Sequence, residues 1–268
     1  MTSLAQMSYA QIIADNRRMR EMVTGKEYRV IILSNVLVNA LPPALEWLFL
    51  QDNLRVSITQ ATFDNIVQES ATLGNVDAAV VCMDMVGVAM SLGQRLNEVG
   101  TQLADDLGGN VSQILQNLSD IPLVVFNSFS ALPFEAHDLR PGPLGALAAW
   151  LNGVLEKQSC SNVVRIDIDR VYALTGLEKA LDIRQIHTAR AVHTLEFFKQ
   201  WAAFVFPVFR SAMGRARKVL VADCDNTLWG GIVGEDGPGG IRVDETSVDG
   251  PFFRDVQTIL RQWKQQGV

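Results

Sequence analysis

Residues 218–231 read Lys-Val-Leu-Val-Ala-Asp-Cys-Asp-Asn-Thr-Leu-Trp-Gly-Gly. A short apolar run rich in β-branched residues ends in Asp223 and Asp225, which are followed by Thr227 and two glycines. This pattern predicts a buried parallel strand that carries two carboxylates to its carboxyl end. Because side chains on a strand alternate between faces, the two carboxylates are expected on one side, where their oxygens can converge on Mg²⁺.

Two carboxylates beside a hard cation can carry out phosphoryl chemistry. One carboxylate can attack a phosphoryl group and form an acyl-phosphate, while the other transfers protons. An EF-hand loop starting at Asp223 is excluded, because its sixth and twelfth positions would be Leu228 and Gly234 instead of Gly and Glu. A Walker B strand without its phosphate loop, the Asp-x-Asp of a sugar transferase and two aspartates that only cap a loop remain alternatives.

Residues 223–237 extend this pattern as Asp-Cys-Asp-Asn-Thr-Leu-Trp-Gly-Gly-Ile-Val-Gly-Glu-Asp-Gly. The string resembles the first motif of the haloacid dehalogenase (HAD) superfamily, and residues 228–237 resemble its FkbH-like branch. The resemblance implies that Asp223 is the nucleophile and Asp225 the acid/base, with both aspartates and the Asp225 carbonyl around Mg²⁺. It also implies a phosphorylated three-carbon acid as substrate and an acyl carrier protein as partner in polyketide-type secondary metabolism.

Composition and charge limit the remaining classes of function. The chain has 268 residues, 48% apolar and 19% charged, which predicts an ordered core. A net charge of −6 argues against a nucleic-acid surface. Three widely spaced cysteines, no apolar run of membrane-spanning length and no leader at the N-terminus predict a cytoplasmic protein with reduced thiols and no membrane contact.

Strands alternate with helices upstream of the aspartates, which predicts a parallel sheet covered on both faces. We expect a domain boundary near residue 213, with residues 1–212 forming an α/β domain and residues 213–268 beginning another. The predicted strands cover residues 28–33, 54–58, 76–83, 122–126 and 163–167. The predicted helices cover residues 9–23, 41–51, 92–118 with a break at Gly108-Gly109, about 145–157 and 188–212, and residues 62–70 are expected to form a loop.

Polar residues follow several of these strands, at Ser34-Asn35, Asp84 and Asn127-Ser128, and His187 comes later. This order resembles SGNH/GDSL serine hydrolases, a doubly wound fold that is also expected ahead of the phosphatase-like domain in the FkbH-like branch. The resemblance implies Ser34, Asn127 and His187 as weaker catalytic candidates.

The hydrolase motifs depart from the family pattern. Leu-Ser-Asn replaces Gly-Asp-Ser, and Arg184 and Arg190 stand where an aspartate should precede His187 or His193 by three residues. No carboxylate at that spacing orients either histidine as a base. A serine esterase in the first domain therefore stays an alternative, as does a role for Ser34 and Asn127 in bonding loop amides.

The aspartate motif is followed by a glycine-rich loop and one helix. Residues 230–240 contain six glycines, which predicts a flap over a small substrate or a structural loop, and residues 252–264 have a helical apolar face. The later Ser/Thr, Lys and acidic residues of the superfamily are missing. We therefore expect an N-terminal part of a longer protein with an incomplete HAD-like Rossmannoid domain, exposed apolar surface and little or no activity, or else a non-catalytic module that docks a carrier protein.

Overall fold

The computed structural model describes residues 3–92, 101–134, 142–158, 160–185, 191–216, 219–245 and 247–265. The chain divides into two compact units, Met1–Ala212 and Met213–Val268. In the described residues, no helix is both long enough and apolar enough to cross a membrane.

The first unit is built on a five-stranded, all-parallel sheet with the order β2-β1-β3-β4-β5. Its strands are β1 (Tyr28–Ser34), β2 (Val56–Gln60), β3 (Ala78–Cys82), β4 (Leu123–Asn127) and β5 (Val163–Ile166). The two strands β3 and β4 are buried along their whole length, as near-continuous apolar runs predict for a sheet covered on both faces. The predicted α/β fold is therefore confirmed.

Helices lie before, between and after these strands. They are α1 (Tyr9–Arg20), α2 (Leu41–Gln51), α3 (Ile66–Ala71), α4 (Met85–Leu92), α5 (Thr101–Asn117), α6 (Pro143–Lys157), α7 (Ile168–Thr175), α8 (Leu177–Ala180) and α9 (Leu195–Ala212). Alternate residues of β1 belong to different apolar layers: Ile31 and Leu33 join the large cluster under α5 and α6, whereas Val30 and Ile32 are buried outside it. Phe49 of α2 and Phe209 of α9 pack with their ring centroids 5.4 Å apart.

The helices differ from the prediction in one unexpected helix, one expected break and one boundary. Residues 62–70, expected to be a loop, contain most of α3, whose Ser70 is buried and accepts a hydrogen bond from Asn117 Nδ2 at 3.0 Å. The predicted break at Gly108-Gly109 does not occur, because α5 runs through both glycines and the Trp150 ring packs where a Cβ on Gly108 would lie. The last helix begins at Leu195; residues 186–190 lie outside the described part.

The second unit contains the short helix α10 (Val233–Asp236) and the longer α11 (Gly250–Gln265). The strand predicted at residues 218–223 is absent from the described residues 219–223, and Val219, Leu220 and Val221 are 77%, 51% and 89% exposed. A strand needs a neighbour to satisfy its backbone groups, and the described part of this unit offers no ladder for it to join. The expected exposed apolar surface is present: Phe252, Val256, Ile259 and Trp263 of α11 are exposed.

Candidate functional site

Asp223 and Asp225 lie on a tight turn in the second unit. The amides of Thr227 and Leu228 both donate to the Cys224 carbonyl, at 3.3 and 2.8 Å. Asn226 has a left-handed backbone (φ 54°), which asparagine tolerates better than most residues, and its Oδ1 accepts a hydrogen bond from the Gly231 amide at 2.9 Å. The two aspartates are therefore held by the hydrogen bonds of a turn and not by a strand.

The two aspartates have different surroundings. Asp223 is exposed, and its Oδ1 accepts a hydrogen bond from the next amide, that of Cys224, at 2.8 Å. Asp225 is half-buried, and its Oδ1 accepts hydrogen bonds from Trp229 Nε1 at 3.0 Å and from the Val233 amide at 3.2 Å. One carboxylate is thus open to an incoming group, while the other is held in place.

Neighbouring segments fix the end of this turn. The backbones of Gly230 and Arg242 exchange hydrogen bonds of 2.9 and 2.8 Å, and Gln257 Nε2 of α11 donates to the Leu228 carbonyl at 2.7 Å. A Cβ on Gly230 would lie 2.8 Å from the Phe253 ring, so a larger residue there would have to displace that ring. The predicted flap is therefore a loop that includes α10 and is tied down at its start.

The donor set of this turn fits Mg²⁺ in type. Mg²⁺ in proteins is commonly held by one or two carboxylates and completes its shell with waters and phosphate oxygens. Asp223 and Asp225 can supply the carboxylates. No group of three or more His, Cys, Asp or Glu side chains is gathered for a metal in the described ranges. The residues described here would provide a partial, carboxylate-only shell.

The hydrolase candidates of the first unit are occupied by structural hydrogen bonds. Ser34 Oγ donates to the Val36 carbonyl at 2.6 Å and accepts from the Val36 amide at 3.1 Å. Asn127 Oδ1 accepts from Trp201 Nε1 at 2.9 Å, and its Nδ2 donates to Cys82 Sγ at 3.5 Å. His187 lies outside the described residues. The interpretation of Ser34 as a residue that bonds loop amides fits this geometry better than a nucleophile.

His193 was not expected to be a base, because Arg190 stands where the family has an aspartate. In the structure it lies at the carboxyl end of the sheet. Its Nε2 is 2.8 Å from the Tyr172 hydroxyl and 3.4 Å from Asp84 Oδ2, and its ring stacks on Phe197 with centroids 4.1 Å apart. Burial lowers the pKa of His193, and the Asp84 charge partly opposes this. Sequence reasoning noticed Asp84 but could not pair it with His193, because the pairing is spatial and not set by local spacing.

The cavity beside His193 has a volume of about 10 Å³ and is lined by Cys82, Asp84 and Asn127 together with aromatic rings. Such a volume holds about one water molecule and no acyl substrate. Burial raises the pKa of the Cys82 thiol to about 12, so it carries no thiolate at neutral pH. This cluster is a tightly packed part of the core with no room for a substrate.

Comparisons with known proteins provide evidence about the fold of the chain. No family model matches the chain, and no curated protein matches it. A solved structure, the N-terminal part of a Bacteroides fragilis protein containing a phosphatase domain complexed with Mg, superimposes with a TM-score of 0.74 at 16% identity, over 98% of this chain and 72% of that one. A salicylyl-acyltransferase of a tetracycline biosynthetic pathway gives a TM-score of 0.44 at 15% identity, over 72% of this chain and 57% of that one. At 16% identity, the likeness to the Bacteroides structure shows that the chain shares its fold.

Proposed function

We propose that the chain belongs to a Mg²⁺-dependent phosphatase and glyceryl transferase of the FkbH-like kind in the HAD superfamily. It would act in the cytoplasm, remove phosphate from a phosphorylated three-carbon acid and load the glyceryl unit onto an acyl carrier protein in polyketide-type biosynthesis. The observation that carries the proposal is the Asp223–Asp225 turn, with one exposed and one held carboxylate. The fold shared with a phosphatase-containing protein complexed with Mg supports it.

The two carboxylates divide the chemistry between them. An Asp223 oxygen attacks phosphorus, the bond from phosphorus to the substrate oxygen breaks, and Asp225 donates a proton to that leaving oxygen. Asp225 then takes a proton from water as the water oxygen attacks phosphorus, and the bond to Asp223 breaks to release phosphate. Loading is a separate step on a substrate whose carboxyl group is an acyl-phosphate: the carrier thiol attacks the carbonyl carbon, a thioester bond forms, and the bond to the acyl-phosphate oxygen breaks to release phosphate. When bound, Mg²⁺ would lessen the repulsion between the carboxylates and the phosphoryl group.

Residues 213–268 are proposed to form part of a HAD-like phosphatase domain, and residues 1–212 an SGNH-like domain that carries no esterase chemistry. Phosphoryl transfer depends chiefly on positioning and charge stabilisation. Two carboxylates on a loop supply only part of that stabilisation. Turnover by this chain alone is therefore expected to be slow or absent.

The transfer step is tested by weighing an acyl carrier protein after long incubation with the chain, Mg²⁺ and a bisphosphoglycerate. A mass gain of one glyceryl unit that is lost in Asp223→Asn, and kept in a control variant of the exposed Asp255 on α11, Asp255→Asn, supports the proposal. If the carrier binds this chain but gains no mass, the result favours the docking-module alternative for this chain.

The esterase alternative has its own test, which is labelling with a fluorophosphonate probe. We expect no labelling, because Ser34 Oγ is committed to the Val36 backbone. Labelling that disappears in Ser34→Ala would restore the esterase interpretation.

A further inference from the structure

The Asp225 carboxylate is held through one of its two oxygens. Trp229 Nε1 and the Val233 amide both donate to Oδ1, at 3.0 and 3.2 Å. Hydrogen bonds from N–H groups to a carboxylate are among the stronger ones in proteins, and two donors on one oxygen restrict the rotation of the group. Oδ2 is then the oxygen left for proton transfer.

The backbone is held on both sides of Trp229. Leu228, just before Trp229, accepts a hydrogen bond from Gln257 Nε2 at 2.7 Å, and Gly230, just after it, pairs with Arg242 in both directions. Asp225 and Trp229 also form an isolated backbone bridge. The donor is therefore in place before any ligand arrives, which is the arrangement that efficient proton transfer requires.

We propose that Trp229 is a positioning residue, whose indole N–H holds the Asp225 carboxylate in one orientation and keeps Oδ2 for the reacting proton. This inference rests on the proposed role of Asp225 as acid/base. A ring that only fills space would not need the N–H group. A fixed Asp225 would also be a better ligand for any cation that it shares with Asp223, so losing the bond is expected to weaken cation binding without removing a ligand.

The first test is the indole region of an ¹H–¹⁵N spectrum of the whole chain, which has five tryptophans. Trp229→Phe assigns the Trp229 signal by its loss. In Asp225→Asn, which loses the charged acceptor, we expect the Trp229 signal to move more than the other four, and Asp223→Asn should move it less. A Trp229 signal that Asp225→Asn leaves unchanged would overturn the inference, whether or not the chain binds metal or turns over substrate.

The second test is a Mg²⁺ titration followed by the amide signals of residues 224–226. Trp229→Phe should weaken Mg²⁺ binding about tenfold, as losses of groups that orient metal ligands commonly do. The control Trp263→Phe, which changes an exposed ring on α11, should leave it unchanged. Equal affinity in wild type and Trp229→Phe would contradict the positioning role, whereas no binding by the wild type would count against the proposed function alone. If Trp229→Phe unfolds the second unit, the Asp225→Asn spectrum still decides.

Discussion

The same bond, from an indole N–H to a side-chain oxygen, occurs in both units with different consequences. In the first unit Trp201 donates to Asn127, and both residues are buried, with Trp201 only 1% exposed. In the second unit Trp229 donates to Asp225, which keeps part of its surface in solvent. The buried bond contributes to the stability of the fold, whereas the bond on the solvent-accessible carboxylate leaves that group able to react.

The largest expected effect comes from removing the buried indole N–H of Trp201, and Trp229 provides the comparison. Trp201→Phe leaves the buried Asn127 Oδ1 unpaired and creates a gap, so it should lower the free energy of unfolding by about 3 kcal/mol. Trp229→Phe should cost below about 1 kcal/mol, because water can reach Asp225. Urea unfolding followed by circular dichroism measures both. Equal decreases in the free energy of unfolding would contradict the proposed difference between the two hydrogen bonds.

A pair of neighbouring glycines tests how tightly the first unit is packed. Gly108→Ala forces a Cβ into the Trp150 ring and should destabilise by about 1–3 kcal/mol. Gly109→Ala meets nothing within 4 Å and should stabilise α5 by about 0.5–1 kcal/mol. The melting temperatures of the two variants should shift in opposite directions. A shift in the same direction would mean that the Trp150 ring can move aside at little cost.

A smaller effect is expected from pH. The folded pKa of His193 is lowered below its ordinary value of 6.5 by burial, so the unfolded chain takes up the proton first. The contribution of neutral His193 to the free energy of unfolding is therefore fully present above pH 6.5 and is lost as the pH falls from there through the folded pKa. The groups that face His193 are Asp84 and Tyr172. We expect the free energy of unfolding to decrease on acidification, with a shallower pH slope in His193→Phe; an unchanged pH slope in that variant would contradict this explanation.

The sheet could be predicted from sequence because its strands are short runs rich in apolar residues between turn residues, and each of the five lies within a few residues of its predicted bounds. The helix α3 could not, because it is one and a half turns long and depends on contacts such as Ser70 with Asn117. The strand expected before Asp223 failed for a related reason. Its apolar pattern was correct for a strand, but a strand forms only beside a partner.

The candidate site was partly predictable. The two-residue spacing predicted Asp223 and Asp225 as a pair, and only the turn geometry revealed that Trp229 and Val233 hold Asp225. The pairing of His193 with Asp84 joins segments that are far apart in sequence, so no motif spacing could reveal it. The candidate residues could thus be predicted from their local spacing, whereas their hydrogen-bond partners depended on the fold.

The most direct test of the central claim is capture of beryllium fluoride, which mimics a phosphoryl group on a carboxylate, followed by ¹⁹F NMR with Mg²⁺ present. The account predicts a bound signal in the wild type and in Asp255→Asn, and none in Asp223→Asn. Because Asp223 is exposed, its variant should keep wild-type stability, which excludes unfolding as the cause. A bound signal that survives in Asp223→Asn, or no signal in the wild type, would contradict the assignment of Asp223 as the nucleophile.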